Sequence, residues 1–390
     1  TRSNIVNDKS DDEDFEELYG KWNPSLYAAA MIDEHRFAML VGGPRWDDPY
    51  TIILTHDNRH EQPWSRFDVR REIQQIRVAA LAEQTEFGSS YVALSLSGDI
   101  YHIGQSGLKQ LTIPDTQTED PEGEATYIYG FAWTGSEYVV AGDDGFLKAG
   151  RDRSWQDVSP EIPAQFPYGK PTWRIPGTDI AGRIYIAAYQ KADPRHFNFY
   201  SGHPQYRDEL PDEERWEIKK KLRSQQDSYP QLVHQFAGKP GEWKHVVLPE
   251  RIVRSFPAYA YISDITDTGT PELYITGSDG LVMKGNPIDG FRDLSSIVDR
   301  EINVSSATLY RNELVVGADR QLLRFDGHLF KPFAPKVKVS KAPFVIQPSA
   351  TFSLNENLYL FDFSLRWRVF DGAEWQEYSL PSELVARPFP

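Results

Sequence analysis

The chain has 390 residues, 40% hydrophobic and 25% charged content, a formal net charge of −15 and no cysteine. Such values describe a folded, water-compatible polypeptide and exclude disulfides, thiol catalysis and Cys-ligated zinc or iron–sulfur centres. The acidic balance disfavours a phosphate backbone as partner, and no apolar run approaches the ~18 residues of a membrane-spanning helix.

Against 3 Met stand 21 Phe, 20 Tyr and 10 Trp, with 27 Gly and 27 Pro, a composition of strands and turns. From the start, Thr1-Arg2-Ser3-Asn4 does not read as a secretory signal, and the missing Met is consistent with trimming. Residues 8–17 concentrate Asp8, Asp11, Asp12, Glu13, Asp14, Glu16 and Glu17 against Lys9. The expectation is an acidic flexible segment over 1–24 and a folded body over 25–390.

That body repeats. A short apolar run ending in a small or polar residue closes at 42, 95, 142, 188, 277, 317 and 362, as in Tyr138-Val139-Val140-Ala141-Gly142. An independent landmark, an aromatic or Leu heading a short mixed run, starts at Trp64, Leu108, Trp155, Trp243, Phe291, Phe330 and Trp375. Both series count seven units of roughly 45 residues, and both place one extra stretch in the fourth. Roughly 45 residues accommodates four short strands with turns, the size of a propeller blade.

In the third unit the strands are expected at 127–133, 137–141, 146–149 and 154–158, with Asp144-Gly145 as a positive-φ hairpin turn. Ser97-Gly98 and Asp279-Gly280 repeat that turn. Continuous apolar second strands suit a sheet covered on both faces. The fold class is therefore all-β: a seven-bladed β-propeller with a helical insertion in blade 4, spanning about 191–230. Within it, Asp208–Gln226 holds Glu213, Glu214, Glu217, Lys219–Lys221 and Trp216, and reads as a short charged helix after Pro211. Ring closure is open between no strand exchange and an added strand from 15–23 or 382–388.

Thr55-His56-Asp57-Asn58 with Trp64, and Arg151-Asp152-Arg153-Ser154-Trp155, resemble worn copies of the Asp-box hairpin of sialidases and of photosystem-assembly-factor propellers, without its glycine. That resemblance implies a structural turn. Trp173-Arg174-Ile175-Pro176 resembles the Arg-Ile-Pro segment of sialidases, which implies Arg174 as a carboxylate clamp and a glycan-acting enzyme as the alternative function. Asp264–Leu273 resembles the calcium loop of integrin-type propellers, with Thr266, Thr268 and Glu272 replacing carboxylates of that pattern. The nine histidines are scattered, and no Walker, dinucleotide or nucleophile-elbow motif occurs.

All second-to-third-strand turns of a propeller share one face. They hold Trp46, Asp47 and Asp48, then Asp143 and Asp144, then Asp279, Asp319 and Asp362, and the blade-4 insertion with Trp216 emerges there too. This arrangement suits a basic protein partner, steered by charge and anchored by an aromatic. The sequence thus reads as a cytoplasmic, monomeric, non-catalytic protein-binding propeller, possible forms being an immunity- or antitoxin-like inhibitor of a toxin, or an assembly factor. It assigns no cofactor, no metal, no catalytic residue, no nucleic acid and no membrane.

Overall fold

The computed structural model describes residues 24–42, 49–105, 107–116, 126–161, 171–179, 181–189, 233–249, 262–277, 280–294, 304–318, 321–326, 329–333 and 348–386, with Glu214 alone between 190 and 232. Seven four-stranded antiparallel sheets are present, each built from four consecutive strands. They occupy 25–69, 73–112, 128–157, 172–246, 262–293, 304–332 and 348–379. The molecule is a seven-bladed β-propeller, as the periodicity predicts.

Burial explains why both landmarks recur. Second strands such as Tyr138–Gly142, Ile184–Tyr189 and Leu273–Gly277 are buried at every residue, because each lies inside a sheet sandwiched between two others. The outer landmark falls within one residue of the start of each fourth strand, where Ser154–Asp157 and Trp375–Ser379 are mostly exposed beyond their aromatic. In the third blade the strands are Ile128–Trp133, Tyr138–Gly142, Leu147–Arg151 and Ser154–Asp157, within two residues of expectation at each end. Its hairpin turn places Asp144 at φ 53° and Gly145 at φ 78°, the positive pair that the dipeptide demands.

The buried hydrophobic residues divide into seven clusters, one for each junction between neighbouring blades. Trp173 of blade 4, for example, packs with Val139 and Ala149 of blade 3. No sheet has a core of its own, so each blade depends on both neighbours for burial. First strands of neighbouring blades meet around the axis. Six of the seven first strands carry a register shift near their start, and blade 4 carries one at Ile175-Pro176. These bulges re-aim single side chains. In blade 6 the extra residue is Ser305, whose hydroxyl donates to the Pro348 carbonyl of blade 7 at 2.8 Å.

Among the described residues the ring closes without strand exchange. Leu26 N–H donates to the Phe363 carbonyl at 3.2 Å, and Asn355 Nδ2 donates to Glu34 Oε2 at 2.5 Å. Between blades 1 and 7, Phe37, Trp64, Phe361 and Trp367 form an aromatic knot, with Phe37 centred 5.4 Å from Phe361 and 5.6 Å from Trp367. Residues 382–388, one candidate for a closing strand, instead begin with a short helix, Ser382–Val385, whose Val385 joins that junction. Arg66 Nη1 holds it by donating to the Glu383 and Leu384 carbonyls at 3.2 and 3.1 Å. The other candidate, 15–23, and the acidic start lie outside the described residues, as does the charged helix expected within 208–226 apart from Glu214. The insertion itself falls where expected, between the second and third strands of blade 4 (Ile184–Tyr189 and Val233–Gly238).

One element was not legible beforehand. Between the first two strands of blade 2 lies a helix, Leu81–Phe87 (α1), ended by Gly88 at φ 65°.

Candidate functional site

On the face carrying the second-to-third-strand turns, the described carboxylates mostly serve the fold. Asp143 accepts from Tyr129 Oη and from Thr172 Oγ1, both at 2.8 Å, and so joins blades 3 and 4. Asp144 is exposed at the tip of the same turn, beside the partly exposed Tyr127. Asp362, expected on the acidic rim, is instead 1% exposed. Arg368 Nη1 donates to it at 2.7 Å and the Ser364 N–H and hydroxyl donate at 2.8 and 2.7 Å, because a short tight turn brings cation and carboxylate together inside the blade. Asp99 is likewise buried, accepting from Gln110 and Thr112 at 2.9 and 2.7 Å. Trp46, Asp47, Asp48, Asp279, Asp319 and Trp216 lie outside the described residues.

The motif resemblances resolve into local structure. Asp57 accepts from the Arg59 backbone N–H at 3.1 Å in a third-to-fourth-strand turn, which is the turn role an Asp-box implies. Arg174 sits on the first strand of blade 4 (Thr172–Thr178) with its guanidinium 4.5 Å from the Tyr129 ring centre. The calcium-loop resemblance falls on a strand end and turn in blade 5. Asp264 lies within Ile262–Asp267 and accepts from Ile265 N–H at 2.8 Å; burial pushes the pKa of its carboxyl up to about 6. Asp267 accepts from the Gly269 N–H at 2.8 Å. Among the described residues, no group of three or more His, Asp and Glu is placed to hold a metal.

Two concavities stand out instead. The first is an open groove of about 670 Å³ on the outer wall between blades 3 and 4. Glu137, Asp157 and Glu161 line it, with Trp243 and His245 and, among the described residues, without any Lys or Arg. Trp243 is fixed by its Nε1–H, which donates to the Val158 carbonyl at 2.7 Å. The His245 ring meets Phe236 edge-on at 5.4 Å, and burial pulls its pKa down, so at pH 7 it leaves the groove's negative charge uncancelled. Trp243 was one of the seven repeat landmarks; its spacing marked a strand, and nothing local to it marked the groove.

The second is a smaller cavity of about 120 Å³ between blades 1 and 2, on the opposite face from the turns above. It is lined by Arg36, Asp57, Arg59, His60 and Tyr91 among others.

No family model and no curated protein matches the chain. Among solved structures, YCF48 bound to a D1 peptide is similar to it at 13% identity and TM-score 0.46, over 94% of this chain and 97% of that one. Sqt1 from Saccharomyces cerevisiae is similar at 12% identity and TM-score 0.46, over 92% and 85%. The WD40 β-propeller domain of Doa1 is similar at 9% identity and TM-score 0.46, over 90% and 94%. Function does not follow from likenesses this distant.

Proposed function

We propose that this propeller is a non-catalytic protein-binding ring that holds a basic segment of another protein. The observation that carries the reading is the groove between blades 3 and 4, where three carboxylates share the wall with a fixed indole and no Lys or Arg stands among the described lining residues. A Lys or Arg side chain entering it meets opposite charge along its head and an aromatic face along its stem. The net charge of −15 adds long-range steering for the same partner. Asp144 and the root of the insertion belong to the same two blades, so the turn face expected from the sequence and the groove serve one sector of the ring.

In its narrowest form the reading is an immunity-like inhibitor that covers a basic toxin domain, working in the cytoplasm as a monomer. The absence of cysteine suits a reducing compartment.

The test is fluorescence anisotropy with a labelled Lys/Arg-rich peptide. Wild type is expected to bind it with an affinity that falls as salt rises. Trp243→Ala combined with Glu137→Gln and Glu161→Gln is expected to weaken binding roughly tenfold or more. Unchanged binding in that variant contradicts the groove. Loss of binding in Asp47→Ala, Asp48→Ala, Asp143→Ala and Asp144→Ala instead would move the contact to the turn face.

A further inference from the structure

The small cavity between blades 1 and 2 is built from parts that the protein-binding reading does not use. Arg36 lies at the start of the second strand of blade 1 (Arg36–Gly42), and Asp57 ends the third (Thr51–Asp57). Arg59 and His60 follow in the turn, and Tyr91 opens the second strand of blade 2 (Tyr91–Ser95). The five therefore converge from two blades.

The donor and acceptor balance of the cavity is lopsided. The Arg36 Nε and Nη2 donate to Asp33 Oδ2 at 2.8 and 2.6 Å, and the other Asp33 oxygen accepts from the His35 N–H at 2.9 Å. Arg59 Nε and Nη2 donate to the two oxygens of Asp57 at 2.7 and 2.5 Å, and His60 Nε2 lies 3.5 Å from Asp57. Both carboxylates are thus filled with donors, while each guanidinium keeps its Nη1 edge. Tyr91 is 4% exposed and, among the described residues, its buried hydroxyl has no hydrogen-bond partner, although it lines the cavity. A buried hydroxyl left without a partner is destabilising, and a ligand accepting or donating there would relieve it.

What the cavity leaves unfilled is donor capacity, at the two Nη1 edges and the Tyr91 hydroxyl. Among the described residues its lining carries Arg36, Arg59 and Asp57, and Asp33, paired with Arg36, acts on the Tyr91 hydroxyl as well. Two cations against two carboxylates, Arg36 with Asp33 and Arg59 with Asp57, leave its surroundings near neutral, in a chain whose net charge is −15. A dianion such as phosphate would set its second charge against Asp57, which the Arg59 bonds hold ionised, with a pKa of about 2. A planar monoanion brings the smaller uncompensated charge and matches the forked geometry of two guanidinium edges.

We infer that this cavity is a binding site for a monocarboxylate, held by the free edges of Arg36 and Arg59 and by the Tyr91 hydroxyl. The carboxylate belongs either to a small organic acid or to the end of a peptide chain; the chemistry of recognition is the same. The site is distinct from the groove between blades 3 and 4, and it stands whether or not that groove binds protein.

The experiment is an NMR titration of the ¹⁵N-labelled full chain, following the Tyr91 and Arg59 backbone amides, with propionate, N-acetylglycine, the amide of each, and sodium sulfate. Both acids are expected to shift those resonances saturably and the amides to leave them unmoved. Propionate alone binding assigns a free acid; N-acetylglycine binding more tightly assigns a chain terminus. Tyr91→Phe removes only the unpartnered hydroxyl and leaves the packing intact, and it is expected to weaken binding roughly three- to tenfold. Arg59→Gln, on the surface, is expected to weaken it further. The inference is overturned if neither acid produces a saturable shift, if sulfate binds as tightly as the acids, or if Tyr91→Phe binds as wild type does.

Discussion

Replacing Arg368 with alanine is expected to cost about 3–5 kcal/mol of stability, read as a fall in the midpoint of urea unfolding. Arg368 is 2% exposed and bridges two carboxylates, donating from Nη1 to Asp362 and from Nε to Glu377, each at 2.7 Å. Its removal strands Asp362, at 1% exposure, as a buried charge without its cation. The loss falls on blade 7, which seals the ring against blade 1, so its effect reaches beyond one sheet. Glu377→Gln provides the contrast. Glu377 lies on an outer strand (Trp375–Ser379) and is partly exposed, so its loss is expected to cost about 1 kcal/mol or less. Equal losses from the two variants would refute the assignment of Arg368–Asp362 as the buried pair.

Glu83→Ala is expected to be of similar size, because Glu83 has no solvent exposure and anchors the junction of blades 2 and 3. It accepts from Arg77 at 2.7 and 2.8 Å, from Tyr138 Oη at 2.6 Å and from the Ala80 N–H at 2.7 Å. The last of these satisfies a free N–H at the start of α1. Burial alone would push the Glu83 carboxyl up; the Arg77 guanidinium, the Tyr138 hydroxyl and the Ala80 N–H outweigh it and hold the carboxyl below its ordinary 4.5. A carboxyl lowered on folding contributes stability above its unfolded value, and that contribution disappears as pH falls through the folded one. Wild type is therefore expected to lose stability below about pH 4.5 more steeply than Glu83→Gln, measured as urea midpoints from pH 7 to pH 3. Parallel pH profiles would show that Glu83 does not carry this linkage.

These two anchors also show what the sequence can and cannot express. The second strands were readable because burial on both faces leaves an unbroken apolar run, as in Tyr138–Gly142. The turn at Asp144-Gly145 was readable because positive φ at two successive residues restricts the choice of side chain. Glu83 gave no such signal. Its helix spans only seven residues, its N-cap is an alanine, and the partner that explains its burial, Tyr138, is 55 residues away. Asp362 looked like one more turn aspartate, and only its pairing with Arg368 places it inside the blade.

The candidate sites were less legible than the fold for the same reason. Trp243 and Glu137 share a groove because blades 3 and 4 are neighbours, and Arg36, Arg59 and Tyr91 share a cavity because blades 1 and 2 are. A period of about 45 residues fixes that neighbours exist but not which side chains they present to each other. Aspartate in turns invited a reading of surface charge; in Asp99, Asp143 and Asp362 the carboxylate is instead taken up by the fold's own donors.

Both sites depend on seven blades closing into one ring, and the contact between the first and last blades tests that most directly. Glu34 and Asn355 are 321 residues apart, yet their side chains meet at 2.5 Å. Because the chain has no cysteine, Glu34→Cys with Asn355→Cys supplies a single reactive pair. A short bismaleimide is expected to link the two within one chain under native conditions, giving a fast-migrating monomer and one cross-linked peptide by mass spectrometry, and neither in denaturant. Native protein that yields only unlinked chains, or links between different chains, would contradict the closed ring.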